Sequence, residues 1–278
     1  MPHVLIAGCG DLGGKLAELL VAYGAEVTGL RRSDKPLPTG VQAVIADVTR
    51  VESLQGLGDL KPDFLVYCVA AGEQTDENYR AIYVQGLYNV LLALTPAQSL
   101  KHVFFVSSTR VYGQKVETIL NESTPAQAAD FGGERLLEAE YLLSNLPCPS
   151  TVLRLSGIYG EGRTQMLKLA RQPERWQRQN PWTNRIHRDD AARFIAFLLD
   201  MVIKKETVDP CYIVTDSRPA PQWVVLLWIA KQLKMDTNGL TAPPIKGGKR
   251  LSNFRMRLTG FELKYEDYRA GYATLLRK

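Results

Sequence analysis

The stretch that decides the fold is residues 3–30, which read HVLIAGCGDLGGKLAELLVAYGAEVTGL. The apolar run at residues 3–7 fits a buried parallel strand, because glycines interrupt it at once. A G-x-G-x-x-G follows at residues 8–13, then leucines at helical spacing, and an apolar run at residues 27–30. This order predicts a strand, a glycine turn, a helix and a second strand.

Each glycine of the turn has a structural reason. Gly8 allows the tight turn, Gly10 lets a pyrophosphate approach the backbone, and Gly13 lets the helix pack close to the strand. The free amides and the positive end of the helix, at Asp11 and Leu12, favour a phosphate. We therefore predict dinucleotide binding; the alternative is a turn that needs glycine only for its backbone angles.

The residues after the second strand bear on the choice of cofactor. An acidic residue there would bind the adenosine ribose 2′-hydroxyl and select NAD. The sequence instead has Arg31, Arg32 and Ser33, and arginine suits a 2′-phosphate because its fork of donors matches phosphate oxygens. We predict NADP as the cofactor, with NAD as the alternative; a solvated basic turn is the other interpretation.

Composition excludes several classes of protein. The chain has 278 residues, 45% of them hydrophobic and 23% charged, with a formal net charge of +5. The length suits a doubly wound domain of about 150–180 residues with a smaller lobe. The charge is modest and no long Lys/Arg run occurs, so neither nucleic acid nor a membrane surface is an expected partner.

The cysteines and the N-terminal residues indicate a cytoplasmic protein. No basic region precedes the first apolar run, which argues against a signal peptide, and no apolar stretch approaches the roughly 20 residues that span a bilayer. The cysteines form no C-x-x-C pair, so we expect reduced thiols and no metal site. They are Cys9, Cys68, Cys148 and Cys211.

The rest of the chain alternates between strand and helix patterns. This alternation predicts an α/β fold with a doubly wound parallel sheet of the Rossmann type. The small residues Val69, Ala70 and Ala71, at the end of a predicted strand over residues 64–69, would let the cofactor pass over it. We assign residues 1–156 and about 186–206 to the dinucleotide-binding domain, and residues 157–185 and 207–278 to a smaller C-terminal substrate lobe. Further strands are predicted at residues 41–46, 102–106, 151–155 and 211–214, and helices at residues 75–94, 130–143, 189–201 and 220–233.

Residues 157–185 leave this rhythm and are rich in arginine. Arginines can grip phosphate groups with two donors, and Trp176 or Trp182 could stack on a base. We predict a small-molecule substrate, with an anionic sugar nucleotide as the candidate. The alternative is a solvated segment whose arginines cover apolar surface. The arginines are Arg163, Arg171, Arg175, Arg178 and Arg185.

Several local patterns resemble the extended short-chain dehydrogenase/reductases in an atypical form, a group of NAD-dependent epimerases and dehydratases that act on sugar nucleotides. The stretch FFVSSTRVYG at residues 104–113 resembles the family's serine strand, which makes Ser108 the catalytic serine. Asp47 and Val48 match the position whose acid contacts the adenine. Further matches are RLSGIYGEG at residues 154–162, HRDD at 187–190, KRLSN at 249–253 and LTGF at 258–261.

The chain departs from the family at its catalytic Tyr-x-x-x-Lys pair. Phe131 occupies the tyrosine position and Arg135 the lysine position, while Tyr83 replaces the family's helix asparagine. Arg135 can still donate to the ribose, but it cannot act as a base. If the protein is an enzyme, another group near Ser108 must carry the proton. The candidates are Tyr112, Tyr159 and His187.

The HRDD motif has an ordinary structural interpretation. Asp189 or Asp190 is predicted to be the N-cap of the helix, and His187 to be a packed or hydrogen-bonded side chain. The alternative is that the motif is catalytic.

Two functions follow from these observations. The first is an NAD(P)-dependent epimerase, dehydratase or reductase. The second is a sensor or scaffold that binds NAD(P) without turning it over, because folds of this type host both. A homodimer is one candidate assembly for either.

Overall fold

A computed structural model of the protein describes residues 1–95, 98–114 and 117–277. The strands are β1 (His3–Ala7), β2 (Glu26–Arg31), β3 (Val41–Ile45), β4 (Phe64–Tyr67), β5 (His102–Ser108), β6 (Ile119–Leu120), β7 (Ser150–Leu155), β8 (Gly157–Tyr159), β9 (Asn180–Thr183), β10 (Arg185–His187), β11 (Cys211–Val214), β12 (Ala220–Pro221), β13 (Ile245–Gly248) and β14 (Arg250–Leu251).

The helices alternate with these strands. None of those in the described residues is long and apolar enough to cross a membrane. They are α1 (Asp11–Ala22), α2 (Asp76–Tyr79), α3 (Gly86–Leu94), α4 (Phe131–Leu142), α5 (Gln165–Ala170), α6 (Arg188–Ile203), α7 (Gln222–Gln232), α8 (Phe254–Leu258) and α9 (Tyr268–Leu276).

Seven of the described strands form one parallel sheet in the order β11-β7-β5-β4-β1-β2-β3. Ala7 of β1 pairs with Leu30 of β2 on one side and with Tyr67 of β4 on the other. All residues of β1 and β4 are buried, as expected for central parallel strands, whereas Ile45 on the edge strand β3 is 59% exposed. The predicted α/β doubly wound parallel sheet is confirmed.

The glycine turn lies at the switch point of this sheet, at the carboxyl end of β1. Gly8 has φ +95°, and a Cβ there would lie 2.5 Å from the backbone nitrogen of Val69. A Cβ on Gly13 would lie 2.4 Å from the Gly8 carbonyl oxygen, so this glycine lets α1 approach the turn closely. At Gly10, in contrast, a Cβ would meet nothing nearer than 4.0 Å. The backbone at Gly10 is therefore open to a ligand.

The prediction of one continuous α-helix over residues 75–94 is wrong for its central segment. Arg80–Gln85, between α2 and α3, form a π-helical segment. Its cause is a side chain that inserts into the helical ladder: the buried Tyr67 hydroxyl donates a 2.5 Å hydrogen bond to the carbonyl of Ile82. The start agrees with the sequence pattern, because the Thr75 side chain caps α2 by accepting from the Asn78 N–H.

The chain folds into two compact units. The first comprises Met1–Gln114, Ala126–Arg154 and Ala192–Tyr212, and the second comprises Leu155–Ala191 with the described residues of 115–125 and 213–278. The boundaries predicted from the sequence place residues 117–125, 155–156 and 186–191 in the first domain, whereas these segments lie in the second unit. Residues 207–212, predicted in the smaller lobe, lie in the first unit. Residues 117–125 join the second unit because β6 pairs in parallel with β14, with Leu120 opposite Leu251.

The second unit has its own apolar core. Aromatic side chains from several elements pack there against helix α7, and Trp176 packs edge-on against Trp223 with ring centroids 5.0 Å apart. The indole N–H of Trp176 donates to the Leu169 carbonyl at 2.8 Å. Trp176 is therefore a core residue and does not offer the base-stacking surface considered from the sequence.

We predict that Gly8→Ala destabilises the protein and that Gly14→Ala stabilises it. Alanine at position 8 meets left-handed strain of about 1–2 kcal/mol and a backbone clash that adds about 1–3 kcal/mol. Position 14 is helical, with nothing within 4 Å of a Cβ, so alanine should gain about 0.5–1 kcal/mol. Urea unfolding measures both. Equal effects of the two substitutions would contradict the close approach seen at Gly8.

Candidate functional site

The N-terminus of α1 can receive a phosphate. The helix begins at Asp11, and its N-cap Gly10 has no side chain to occupy the first-turn amides. The positive end of the helix dipole lies at the same place. Leu12 is buried and anchors the turn. The geometry at Gly8, Gly10 and Gly13 thus fits the pyrophosphate of a dinucleotide.

The two arginines at the carboxyl end of β2 have different surroundings. Arg31 donates from Nη1 to the carbonyl oxygens of Lys35 and Pro36, at 3.3 and 3.4 Å, so it holds the following loop. Arg32 is exposed and makes no hydrogen bond or ion pair with the described residues. Ser33, the next residue in the sequence, is half-buried. Arg32 is therefore the better-placed of the two for a 2′-phosphate.

Asp47 and Val48 follow β3. The Asp47 carboxylate accepts two hydrogen bonds from Thr49, from its N–H at 2.9 Å and its hydroxyl at 2.7 Å. Burial raises the pKa of Asp47, but these bonds together with the charges of Arg32 and Arg50 outweigh burial and lower the pKa below its usual range. Val48 is buried. The loop therefore presents a fixed, ionised carboxylate, as an adenine contact requires.

The residues that follow β4 have small side chains and are partly exposed. Val69 and Ala71 are half-buried and Ala70 is exposed. The Ala71 N–H donates to the phenolic oxygen of Tyr83 at 3.4 Å, which brings the residue at the family's asparagine position to this strand end. The shape is compatible with a cofactor that crosses the strand.

Ser108 ends β5, and its hydroxyl accepts the Arg110 N–H at 3.1 Å. This bond caps the short 3-10 turn Thr109–Val111. Since a hydroxyl can accept and donate at once, Ser108 keeps its own proton for a ligand. Ser107 points the other way and is buried.

Arg110 is a site residue that the sequence reasoning missed. Its Nε lies 2.8 and 3.1 Å from the two carboxylate oxygens of Asp130, and its Nη1 donates to the hydroxyl of Tyr79 and the side-chain oxygen of Gln74, both at 2.8 Å. The guanidinium lies 5.0 Å from the Tyr79 ring centroid and 5.1 Å from that of Phe131. Its position two residues after Ser108 was the available signal.

Phe131 and Arg135 lie on α4, which Asp130 caps by accepting the Gly133 N–H. Arg135 grips Asp76 with Nε and Nη2, at 2.7 and 3.1 Å, and its Nη1 donates to Glu138 at 2.7 Å. These hydrogen bonds raise the pKa of Arg135 further above its usual range. Arg135 is thus a permanently charged, ion-paired residue, and Phe131 has no proton to transfer.

Tyr112 is held in a buried polar network of the first unit. It is 1% exposed, and its hydroxyl accepts a 2.6 Å hydrogen bond from Arg154. Arg154 also pairs with Glu140 at 2.6 Å, and Glu140 accepts from the Ser107 hydroxyl. These contacts give Tyr112 a structural role in the packing of β5, β7 and α4.

Tyr159 and His187 belong to the second unit. Tyr159 is buried, stacks on Tyr272 with centroids 4.5 Å apart, and meets the His187 ring edge-on at 5.2 Å. Burial raises the pKa of Tyr159 and lowers that of His187. Both are therefore neutral near pH 7, and the structure does not bring them together with Ser108 in one unit.

The predicted N-cap of α6 is wrong. The helix begins at Arg188, and His187 stands at the cap, where its Nδ1 accepts the Asp189 N–H at 3.2 Å. Asp190 instead accepts the N–H groups of Lys264 and Tyr265, at 2.9 and 2.8 Å. The motif therefore ties the helix start to the C-terminal segment, a contact that local spacing cannot reveal.

A pocket of about 730 Å³ lies within the second unit. Trp182 is half-exposed on its wall, and the Arg250 guanidinium lies 5.2 Å from its ring centroid. The parallel pairing of β13 with β9 brings this basic segment beside the tryptophan. The pocket thus combines an aromatic surface with three cations. Its polar lining residues are Glu117, Gln179, Lys246, Lys249 and Arg250.

The arginines of residues 157–185 do not share one environment. Arg185 is buried on β10, donates to the Thr183 hydroxyl at 2.8 Å, and lies 5.7 Å from the Tyr268 ring centroid. Four others are exposed, which fits the solvated alternative. They are Arg163, Arg171, Arg175 and Arg178.

Asp216 forms a second buried polar feature that the sequence did not predict. It is 1% exposed; Oδ1 accepts the Arg218 N–H at 3.1 Å, and Oδ2 has no hydrogen-bond partner among the described residues. Its own N–H donates to the Arg185 carbonyl at 2.8 Å. Burial raises the pKa of Asp216 to about 7, although the Arg218 hydrogen bond and the Arg185 charge lower it.

The NAD dependent epimerase/dehydratase family matches residues 4–209 of the chain. A Methylobacillus flagellatus protein assigned as an NAD-dependent epimerase/dehydratase is 51% identical, with a TM-score of 0.92, and the match covers 99% of this chain and 98% of that one. No curated protein matches.

More distant structures share the fold. The Thermus thermophilus UDP-glucose 4-epimerase in complex with NAD is 18% identical, with a TM-score of 0.79 over 99% of this chain and 98% of that one. The Thermotoga maritima UDP-glucose 4-epimerase with UDP-glucose is 14% identical, with a TM-score of 0.81 over 99% and 97%. At these identities the likeness is one of fold alone.

We predict that ionisation of Asp216 lowers the free energy of unfolding of the protein as the pH rises from about 4 to about 7. The folded-state pKa of about 7 lies above the unfolded value, so the folded state binds the extra proton. That stabilisation is complete below about pH 4 and is lost as the pH rises through 7. Asp216→Asn should therefore gain stability relative to wild type, by up to about 1.4 kcal/mol per pH unit in this range.

Urea unfolding at several pH values measures this difference. Asp34→Asn, at an exposed position, is the control and should follow the wild-type profile. Parallel pH profiles of Asp216→Asn and wild type would contradict the prediction. The groups that act on Asp216 are Arg185, Arg218, Glu266, Asp267, Tyr159 and Tyr272.

Proposed function

We propose a function from one established premise: the chain belongs to the NAD-dependent epimerase/dehydratase family. It binds a nicotinamide dinucleotide at the glycine turn and uses it to oxidise or reduce a carbon of a nucleotide sugar. The observation that carries this proposal is the open backbone at Gly10, at the switch point of the sheet and the N-terminus of α1.

The residues present fit the dinucleotide along its length. The α1 N-terminus would bind the pyrophosphate, the carboxylate of Asp47 would accept from the adenine, and Arg32 would bind a 2′-phosphate. Val69, Ala70 and Ala71 leave room at the end of β4. When bound, the cofactor supplies hydride transfer, and Ser108 orients the reacting oxygen of the substrate with its free proton.

The substrate proposal rests on the pocket beside Trp182. A base can stack on the indole face, and phosphate oxygens can bind Lys246, Lys249 and Arg250. The Thermotoga maritima neighbour was solved with UDP-glucose. We propose a nucleoside-diphosphate sugar as the substrate class of this chain.

One observation favours a second function, a sensor or scaffold that binds NAD(P) without chemistry. Phe131 has no proton, and Arg135 is committed to Asp76 and Glu138. Loss of a positioned acid–base group lowers the reaction rate by a factor of about 10²–10⁴. A protein that binds both ligands but does not change the redox state of a bound nicotinamide would have this function.

Location and assembly are further proposals. Four free cysteines agree with the reducing cytoplasm. A homodimer stays a prediction.

We predict tighter binding of NADPH than of NADH, and that Arg32→Ala removes the difference. A charge-assisted contact to phosphate contributes about 1.5–3 kcal/mol to the binding free energy, which corresponds to about ten- to a hundredfold tighter binding. Fluorescence titration with both cofactors measures it. Lys204→Ala, which removes the same charge from an exposed position after α6, is the control. Wild-type protein that binds NADH equally well or better would contradict the prediction.

We predict that UDP-glucose, dTDP-glucose or GDP-mannose at millimolar levels raises the melting temperature of the protein. Lys246→Ala should weaken that binding about tenfold through loss of a phosphate contact. Lys231→Ala, exposed on α7, should bind as wild type does. If none of the three protects the protein, the proposed substrate class is wrong. Nicotinamide fluorescence in the presence of each sugar then separates an enzyme from a binding module.

A further inference from the structure

Tyr83 places a hydroxyl of the first unit at the strand end that the cofactor is proposed to cross. It stands at the family's asparagine position, and its phenolic oxygen lies at the end of β4, 3.4 Å from the Ala71 nitrogen. We propose that Tyr83 transfers the proton to and from the substrate oxygen, in the role that Phe131 cannot perform. This inference rests on the proposed function, and its test is designed to fail separately from it.

Hydrogen bonding distinguishes Tyr83 from the other tyrosines nearby. The Tyr112 hydroxyl is bound by Arg154, and that of Tyr79 accepts from Arg110 and donates to Gln74 at 3.1 Å. Tyr83 accepts from Ala71 and makes no other hydrogen bond with the described residues. It is half-buried, whereas Tyr79 and Tyr112 are buried. Its own proton is therefore available to a ligand.

The backbone around Tyr83 is specialised. The residue lies in the π-helical segment Arg80–Gln85, which the Tyr67 hydrogen bond to Ile82 holds in place. Segments of this kind are rare and occur frequently at functional sites. The Tyr79 ring, 5.1 Å from that of Tyr83, supports the phenol from the previous turn. The side chain is thus positioned by packing and does not need a bound ligand to order it.

Arg110 supplies the positive charge that the family's lysine would supply. Asp130 and Tyr79 fix its guanidinium. Burial raises the pKa of Tyr83, while the Ala71 hydrogen bond and the Arg110 charge lower it. The effect of burial is larger, so the pKa of Tyr83 lies above its usual value. Tyr83 is therefore a phenol at neutral pH, with a donor and a cation ready to stabilise its phenolate.

The proton balance of the step is complete. In the direction of reduction, Tyr83 would give its proton to the carbonyl oxygen of the sugar, and the reduced nicotinamide, when bound, would supply the hydride to the carbonyl carbon. The products would be the alcohol, the oxidised nicotinamide and the Tyr83 phenolate, which would recover a proton from water. In the direction of oxidation, the phenolate would take the alcohol proton, and the oxidised nicotinamide would accept the hydride.

The first test needs no sugar substrate. Absorbance titration of tyrosinate at high pH, with and without saturating NAD⁺, reports the ionisation of Tyr83. Binding of the cationic nicotinamide ring near the phenol should lower the pKa of one tyrosine by about one to three units, and NADH, whose nicotinamide ring carries no charge, should not lower it. Tyr83→Phe should abolish this NAD⁺-dependent transition. Tyr88→Phe, a half-exposed tyrosine on α3, should retain it.

The second test is kinetic. With whichever of UDP-glucose, dTDP-glucose or GDP-mannose reacts, Tyr83→Phe should lower kcat by about 10²–10⁴. Its NAD⁺ affinity and melting temperature should stay those of wild type, which separates lost chemistry from lost folding. Tyr88→Phe should keep the wild-type kcat.

The outcomes separate this inference from the proposed function. If the NAD⁺-dependent transition belongs to Tyr83 and no sugar nucleotide reacts, the position of Tyr83 is upheld and the proposed substrate class falls. The inference is overturned if NAD⁺ binds but Tyr83→Phe titrates as wild type does, or if that variant keeps full turnover. If neither NAD⁺ nor NADP⁺ binds, the proposed function is wrong and the inference about Tyr83 is wrong with it.

Discussion

The close approach of α1 to the glycine turn is the constraint on which the first unit depends. Gly8 and Gly13 leave no space for a side chain, so the helix N-terminus lies directly at the end of β1. Because β1 pairs with β2 and β4, the same turn fixes where the segments after those strands stand. The Arg31–Ser33 loop and the Ala70–Ala71 end follow from that placement.

The sequence predicted those features of the fold that depend on the spacing of nearby residues. The strand–turn–helix unit, the parallel sheet and the Thr75 and Asp130 helix starts all depend on residues within a few positions of one another. It could not predict contacts that join distant residues. The ion pair of Arg135 with Asp76 spans 59 positions, and no pattern in α4 indicates it.

Two errors have the same physical origin. The π-helical segment depends on Tyr67, 15 residues before Ile82, and the role of Asp190 depends on backbone groups 74 and 75 residues later. Likewise, the titration of Asp216 near neutral pH comes from its burial, which composition cannot reveal. In each case tertiary packing outweighs a local preference that the sequence expresses correctly.

The predicted replacement of the Tyr-x-x-x-Lys pair by Phe131 and Arg135 involves the surroundings of both side chains. A cation on α4 is retained in Arg135, but Asp76 and Glu138 neutralise it. A second cation, Arg110, lies beside the rings of Tyr79 and Phe131. Gly132 leaves room for it, because a Cβ there would lie 2.4 Å from the guanidinium carbon. Phe131 supplies one of the two rings beside this cation, and Gly132 supplies the space. The turn after β5 therefore carries a cation of its own, which is paired with Asp130 as Arg135 is paired with Asp76 and Glu138. The same carboxylate, Asp130, accepts from Arg110 and caps α4, so the position of this cation is coupled to the start of the helix.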